Sequence, residues 1–190
     1  MTPPTRQPNR LSREREYLKP EEVASMVKAA RKCGRHRTRD ALMIRMAYAH
    51  GFRASELCRL KWHQIDLKSC QLHVNRLKNG KSAIHPLQPD VMRMLRKLRP
   101  RDPGAIYVFR NSRGGTLSPR SFHRIVQRAG ELAKMPFPVH PHMLRHAMGY
   151  FLINNGWELL HIQNYLGHRN IANTVRYTEL NSSCFAGLEV

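Results

Sequence analysis

The sequence predicts a mainly α protein with a small antiparallel β-sheet, an α+β chain forming one domain. Three observations carry that expectation. Apolar residues recur at helical spacing along most of the 190 residues, residues 70–87 switch to period-two alternation, and no internal repeat or long linker divides the chain. Apolar residues make up 41% of the sequence, enough for a folded core.

Residues 1–17 begin MTPPTRQPNRLSRERE, polar and rich in Pro and Arg, and read as a basic flexible tail. Structure is expected from residue 18. Pro20 followed by Glu21 and Glu22 suits a helix start, Val23, Met26, Val27 and Ala30 share one helical face, and Gly34 suits the stop. A second helix is predicted from Thr38 or Arg39 to Ala49, ending at Gly51, and a third from near Arg53 with Leu57 and Leu60 inward. Leu72 and Val74 then alternate with polar residues, and Asn79-Gly80 is a two-residue hairpin signal that sets Lys78 opposite Lys81. Helices are expected at 88–99, 118–133, 141–155, 157–166 and 170–177, with a short strand at 106–110 and a loop at Gly114-Gly115. Stripes such as Leu42, Met43, Met46 and Tyr48, or Met92, Met94, Leu95 and Leu98, read as core.

Charge narrows the function. There are 33 Lys and Arg against 13 Asp and Glu, a formal net charge of +20. With a pI near 10.9 this points to a polyanionic partner, nucleic acid or an anionic membrane surface. The most apolar run, residues 41–49, is short and contains Arg45, far from the roughly 20 apolar residues of a spanning helix. The N-terminus lacks the apolar region of a secretory signal. Cys33, Cys58, Cys70 and Cys184 have no metal-site spacing and suit reduced thiols in a cytoplasmic protein.

The chemistry concentrates in HPHMLRH, residues 140–146. His142 and His146 are four apart on one helical face and His140 offers a third nitrogen, which admits a metal-dependent nuclease. Arg145, a permanent cation inside that set with no nearby carboxylate, opposes it. The alternative pair is His142 with Arg145, three apart: the guanidinium fork grips phosphate oxygens while the imidazole moves a proton. Other segments supply matching parts. In HGFRASELCRL, residues 50–60, Glu56 lies three residues after Arg53 and can aim it. In YLGHRNIANTVRY, residues 165–177, Gly167 breaks a helix, His168 occupies the turn and Tyr177 follows nine residues later. In RLKNGKSAIHPL, residues 76–87, the opposed Lys78 and Lys81 repel until an anion lies near them. The basic segments RMLRKLRPR (93–101) and PRSFHRIVQR (119–128) interleave apolar residues and can pack one face while presenting cations to a DNA backbone. The second, starting near Ser118 and Ser121, is the candidate major-groove helix, with Arg120 and Arg124 as DNA-binding residues.

Together these segments resemble the tyrosine recombinase (phage integrase) family over roughly residues 18–180, and most closely its short members, the fimbrial phase-variation recombinases. The family pattern joins an arginine in G-x-R-x-S-E-L, a hairpin lysine, H-x-x-R, a histidine or tryptophan in L-G-H and a tyrosine nine residues beyond. These positions are Arg53, Lys78, His142, Arg145, His168 and Tyr177, with Glu56 at the supporting acidic position. The 23-residue interval from Arg145 to His168 also agrees.

The resemblance implies the tyrosine recombinase catalytic-domain fold and a site-specific DNA recombinase that inverts, integrates or excises DNA. Its parts would act in sequence. Arg53, Arg145 and His168 would neutralise a scissile phosphate, His142 would assist proton transfer from the nucleophile Tyr177, and Lys78 would protonate the departing 5′ oxygen. No cofactor and no metal are implied. The implied partners are double-stranded DNA with inverted-repeat sites, further copies of the chain (a dimer per site, a tetramer in synapsis) and DNA-bending accessory proteins in a bacterial nucleoid, with no membrane. Larger relatives carry a separate N-terminal core-binding domain; here residues 1–17 stand in its place and 181–190 form a short C-terminal tail, so a one-sided grip on DNA is expected. A DNA-binding transcriptional regulator with the same fold and little recombination is the alternative.

Overall fold

A computed structural model describes residues 15–76, 81–99 and 104–178. Helix α1 (Pro20–Lys32) starts where proline's missing N–H costs nothing, and the Glu22 carboxylate accepts from the Lys19 backbone N–H at 2.7 Å. It buries Val23, Met26 and Ala30. Helix α2 (Arg37–Ala49) is the one around which the others gather. Ala41, Leu42, Met43, Ile44, Met46, Ala47 and Ala49 are all buried, more than one face holds, because α1, α4 and α6 pack on it from different sides.

After the short α3 (Ala54–Cys58) and a 3₁₀ turn (Trp62–Gln64) comes a three-stranded antiparallel sheet in the order β1 (Ile65–Asp66), β2 (Gln71–Val74), β3 (Ala83–Pro86). The two-residue β1 was not expected, since alternation has no meaning over two positions. In the β2–β3 ladder Val74 faces Ala83 and Leu72 faces His85. This register differs by two residues from the one that a turn closing Lys78 against Lys81 sets, in which Val74 would face His85. Lys78, Asn79 and Gly80 lie outside the described residues.

Helix α4 (Pro89–Leu98) follows, its Asp90 receiving Arg45 of α2 at 2.8 Å. No strand forms at 106–110. Tyr107 makes a single bridge to Lys61 and Arg110 another to Thr116, and the consecutive Val108 and Phe109 are both buried, which one-sided alternation forbids. Helix α5 (Pro119–Leu132) is capped by Ser118, whose Oγ accepts from the Ser121 N–H at 3.0 Å. It turns Phe122, Val126 and Ala129 inward against α1 and α3 and leaves Arg120 and Arg124 exposed.

Helices α6 (Pro141–Asn154) and α7 (Leu159–Leu166) complete the body. The helix expected at 170–177 shrinks to one turn, α8 (Ala172–Val175). Ile171, Thr174 and Val175 are poor helix formers, the Asn170 side chain accepts from the Ala172 N–H, and the chain turns again at Tyr177. Two apolar clusters result: a large one spanning α1 to α6, and a smaller one of Met148, Leu152, Ile162, Leu166 and Tyr177. Among the described residues no helix is long and apolar enough to cross a membrane.

Phe122 is wholly buried where α5 meets α1 and α3. Phe122→Ala is expected to lower the unfolding free energy by about 3–5 kcal/mol, read from urea titration; a loss below about 1 kcal/mol would contradict this packing.

Candidate active site

The site forms where the C-terminal ends of α2 and α7 approach each other and the start of α3. Both ends leave carbonyls without helical partners, and the aligned peptide dipoles make them partly negative. Gly51 ends α2 with φ +56, and a Cβ there would lie 2.4 Å from Leu166 Cδ2, so the close approach requires glycine. Gly167 ends α7 in the left-handed conformation, with the Gly167 and His168 N–H groups donating back to Asn164 and Gln163.

Arg145 projects from α6 into this junction. Its guanidinium donates to the Gly51 carbonyl and, at 2.7 Å, to the Leu166 carbonyl, and the residue is 3% exposed. Burial, then the cations Arg76 and Arg53, lower its pKa to about 9, so it remains charged at pH 7. Arg53, half-buried, precedes α3. Its side chain donates to Glu56 Oε1 at 2.7 Å and its backbone N–H to Oε2 at 3.0 Å, the contact that the three-residue spacing predicts. Burial of Glu56 works against its charge, but Arg76 and the hydrogen bonds from Arg53 outweigh it and hold its pKa below the usual carboxylate range.

His168 is buried just after Gly167, with Nδ1 2.9 Å from Thr174 Oγ1 of α8. Its ring stacks 6.2 Å from that of Tyr177. Burial and the positive charges of Arg145 and Arg53 depress its pKa to about 3, placing all three in one field. His142 lies at the exposed mouth of the site; partial desolvation followed by Arg145 and Arg53 lowers its pKa too.

Tyr177 is wholly buried, its ring lying flat over Gly149 of α6, where a Cβ would meet it at 2.4 Å. Its hydroxyl is 3.2 Å from Nδ1 of His146, not beside His142, and Tyr150 packs edge-on at 5.1 Å. Burial pushes the phenol pKa up to about 12. The structure thus brings Arg53, Glu56, His142, Arg145, His168 and Tyr177 together. Lys78 lies outside the described residues, Lys81 is exposed before β3, and Arg120 and Arg124 lie on the outer face of α5. A shallow trough lined by His142, His140, His123 and Arg120 runs from the site toward the start of α5. Among the described residues no three His, Cys, Asp or Glu side chains are grouped to hold a metal ion.

Two further residues join the site. His146 touches the phenol, and Arg76, with its side chain fully buried, donates to Glu56 and to three carbonyls of the junction. The signal for Arg76 was present: Leu72 and Val74 point inward, and the same alternation carries residue 76 inward.

A mainly α scaffold with a small sheet, carrying this tyrosine beside carbonyl-anchored arginines and a histidine, defines a class: the catalytic domain of a tyrosine recombinase. The model of the phage integrase family matches residues 16–183. The chain is 42% identical over 181 residues to the type 1 fimbriae regulatory protein FimE of Escherichia coli (strain K12), covering 92% of this chain and 90% of FimE. It is 40% identical over 182 residues to FimB of the same strain, covering 93% and 90%. The crystal structure of XerA recombinase superposes with a TM-score of 0.76 at 27% identity, over 95% of this chain and 67% of XerA. The chain belongs to the phage integrase family, the tyrosine recombinases.

Two outcomes test this geometry. Gly149→Ala, which in an exposed helix would stabilise by up to about 1 kcal/mol, should here expel the Tyr177 ring, and ultraviolet titration should show one more phenol ionising near pH 10; an unchanged titration contradicts the seat. Burial also lowers the pKa of His85, His146 and His168 to about 3 each. Their unfolded values are about 6.5, so between these limits the unfolded chain binds more protons. Their stabilising effect is full above pH 6.5 and falls as the pH drops toward 3; urea midpoints should decrease from pH 7.5 to pH 5, and a rise would contradict the burial.

Proposed function

We propose that the protein recombines double-stranded DNA at inverted-repeat sites through a covalent bond to Tyr177, inverting a DNA element. The observation that carries the reading is the convergence of Arg53, Arg145 and His168 beside the Tyr177 ring.

Their chemistry fits a phosphodiester. In the transition state negative charge grows on the non-bridging oxygens, and guanidiniums already fixed by carbonyls and a carboxylate meet it without reorganising. Tyr177 loses its proton to a neighbouring imidazole and its oxygen bonds to phosphorus. The bond from phosphorus to the 5′ oxygen breaks, and that oxygen takes a proton from Lys78. The products are a 3′-phosphotyrosyl bond and a 5′ hydroxyl. Because the new bond keeps the phosphodiester energy, attack by another strand's 5′ hydroxyl rejoins DNA without ATP.

In the described conformation the phenol is shielded from solvent, so the nucleophile must leave its seat, or the seat must reshape, when DNA is bound. The net charge of +20 supplies long-range attraction to DNA, and the trough from His142 to Arg120 suits a backbone path onto α5. The resemblance to FimE and FimB favours inversion in fimbrial phase variation, with a dimer on each site, a tetramer in synapsis and DNA-bending proteins assisting.

A nicked suicide duplex built from inverted-repeat sequence, to be sought by sequencing the DNA beside the gene, tests the reading. The protein should form a covalent protein–DNA adduct in the presence of chelator. Tyr177→Phe should abolish it, and Arg53→Ala or Arg145→Ala should slow it by roughly 10²–10³-fold with DNA still bound. Binding without adduct would instead identify a regulator, and chelator-sensitive free ends a metal-dependent nuclease.

A further inference from the structure

We infer that Arg76 is a positioning residue for the recombination reaction, setting the placement of both phosphate-binding arginines and of His168 without touching DNA. The inference rests on the roles proposed above for Arg53, Arg145 and His168.

Arg76 follows β2 and its side chain is fully shielded from solvent. A buried guanidinium is costly unless its donors are met, and here Nη1 and Nη2 meet four acceptors on three segments, while Nε has no partner among the described residues. Nη1 donates to Glu56 Oε2 at 3.1 Å and to the Gly51 carbonyl at 3.2 Å. Nη2 donates to the His50 carbonyl at 2.9 Å and to the Tyr165 carbonyl at 2.6 Å. Each contact adjoins a residue that would face the phosphate. Glu56 holds Arg53 with its other oxygen, and the Gly51 carbonyl also accepts from Arg145. The stem of Arg76 runs beneath Gly167, where a Cβ would lie 2.5 Å from Arg76 Cγ, and Gly167 immediately precedes His168.

The arrangement has the geometry of a keystone. Glu56 and the carbonyls at the buried ends of α2 and α7 supply the negative charge; Arg76 ties them into one unit, and the same unit holds Arg53 and Arg145. The planar fork suits this task better than an ammonium, which carries three donors and no fixed plane. The Nη atoms of Arg76 bond to protein acceptors and its side chain has no exposed surface to offer a substrate, so its effect must pass through the groups it holds.

The decisive variant is Arg76→Lys, which keeps the charge opposite Glu56 and loses the fork. On the same nicked duplex, single-turnover adduct formation separates two quantities: amplitude counts competent molecules, and the rate constant reports how well each one is arranged. Arg76→Lys should retain amplitude and half-saturating DNA concentration while its rate constant falls at least tenfold. Arg76→Met combined with Glu56→Gln, which removes charge and counter-charge together, should be no slower than Glu56→Gln alone, because both act along one route. A wild-type rate constant in Arg76→Lys, a loss confined to amplitude and melting temperature, or a double variant slower by the product of separate effects would overturn the inference. Absence of a Tyr177-dependent adduct in the wild-type protein would instead overturn the underlying functional reading, and is seen before any variant is compared.

Discussion

Three guanidiniums meet at one junction in this protein, and the rest of the structure is arranged around making that tolerable. Like charges brought together and partly removed from water repel, and desolvation adds to the cost. The compensation comes from two sources. Glu56 is a full negative charge inside the cluster, bonded to Arg53 and Arg76. The carbonyls at the ends of α2 and α7 are partial charges that the fold leaves unpaired and aims at Arg145 and Arg76. Gly51 and Gly167 belong to the same solution: both end their helices at positive φ, and a Cβ would press on Leu166 at the first and on the stem of Arg76 at the second.

The same junction fixes what each cation can do. Both Nη atoms of Arg76 are engaged with protein acceptors and its side chain is closed to solvent, while Arg53, held along one edge by Glu56, remains partly open to solvent. A phosphate arriving at such a place finds positive charge whose orientation has been settled during folding, so little rearrangement opposes transition-state stabilisation. The buried histidines are kept neutral in this field, which leaves their nitrogens free to hydrogen bond rather than add further repulsion.

Tyr177 belongs to a different layer. It is packed with Met148, Leu152, Ile162 and Leu166 in a small cluster, apart from the main core. Burial raises its pKa to about 12 and so keeps the phenol protonated and unreactive in this conformation. The single turn of α8 and the bend after it bring the ring over Gly149, and those few local contacts are cheaper to rearrange than the core beneath α2.

Much of this was legible in the sequence. Helical periodicity and the Pro and Gly signals located α1 to α7 within a few residues, because core-facing side chains must repeat with the backbone period. The spacing of Arg53 and Glu56 foretold their contact, since three residues on a helix start is a local matter. Short elements were not legible: β1 has too few residues for a pattern, 106–110 is a continuous apolar run that forms only isolated bridges, and 170–177 is interrupted by its own side chains. Also hidden were the seating of Tyr177 against His146, 31 residues away, and the four acceptors of Arg76, drawn from three separate segments. The chain alone determined which residues form helices and which carry charge or a phenol, because those follow from local periodicity and chemistry. Only the tertiary structure decided which carbonyls, carboxylate and cations would meet, because that depends on where helix ends come to rest when distant apolar faces pack.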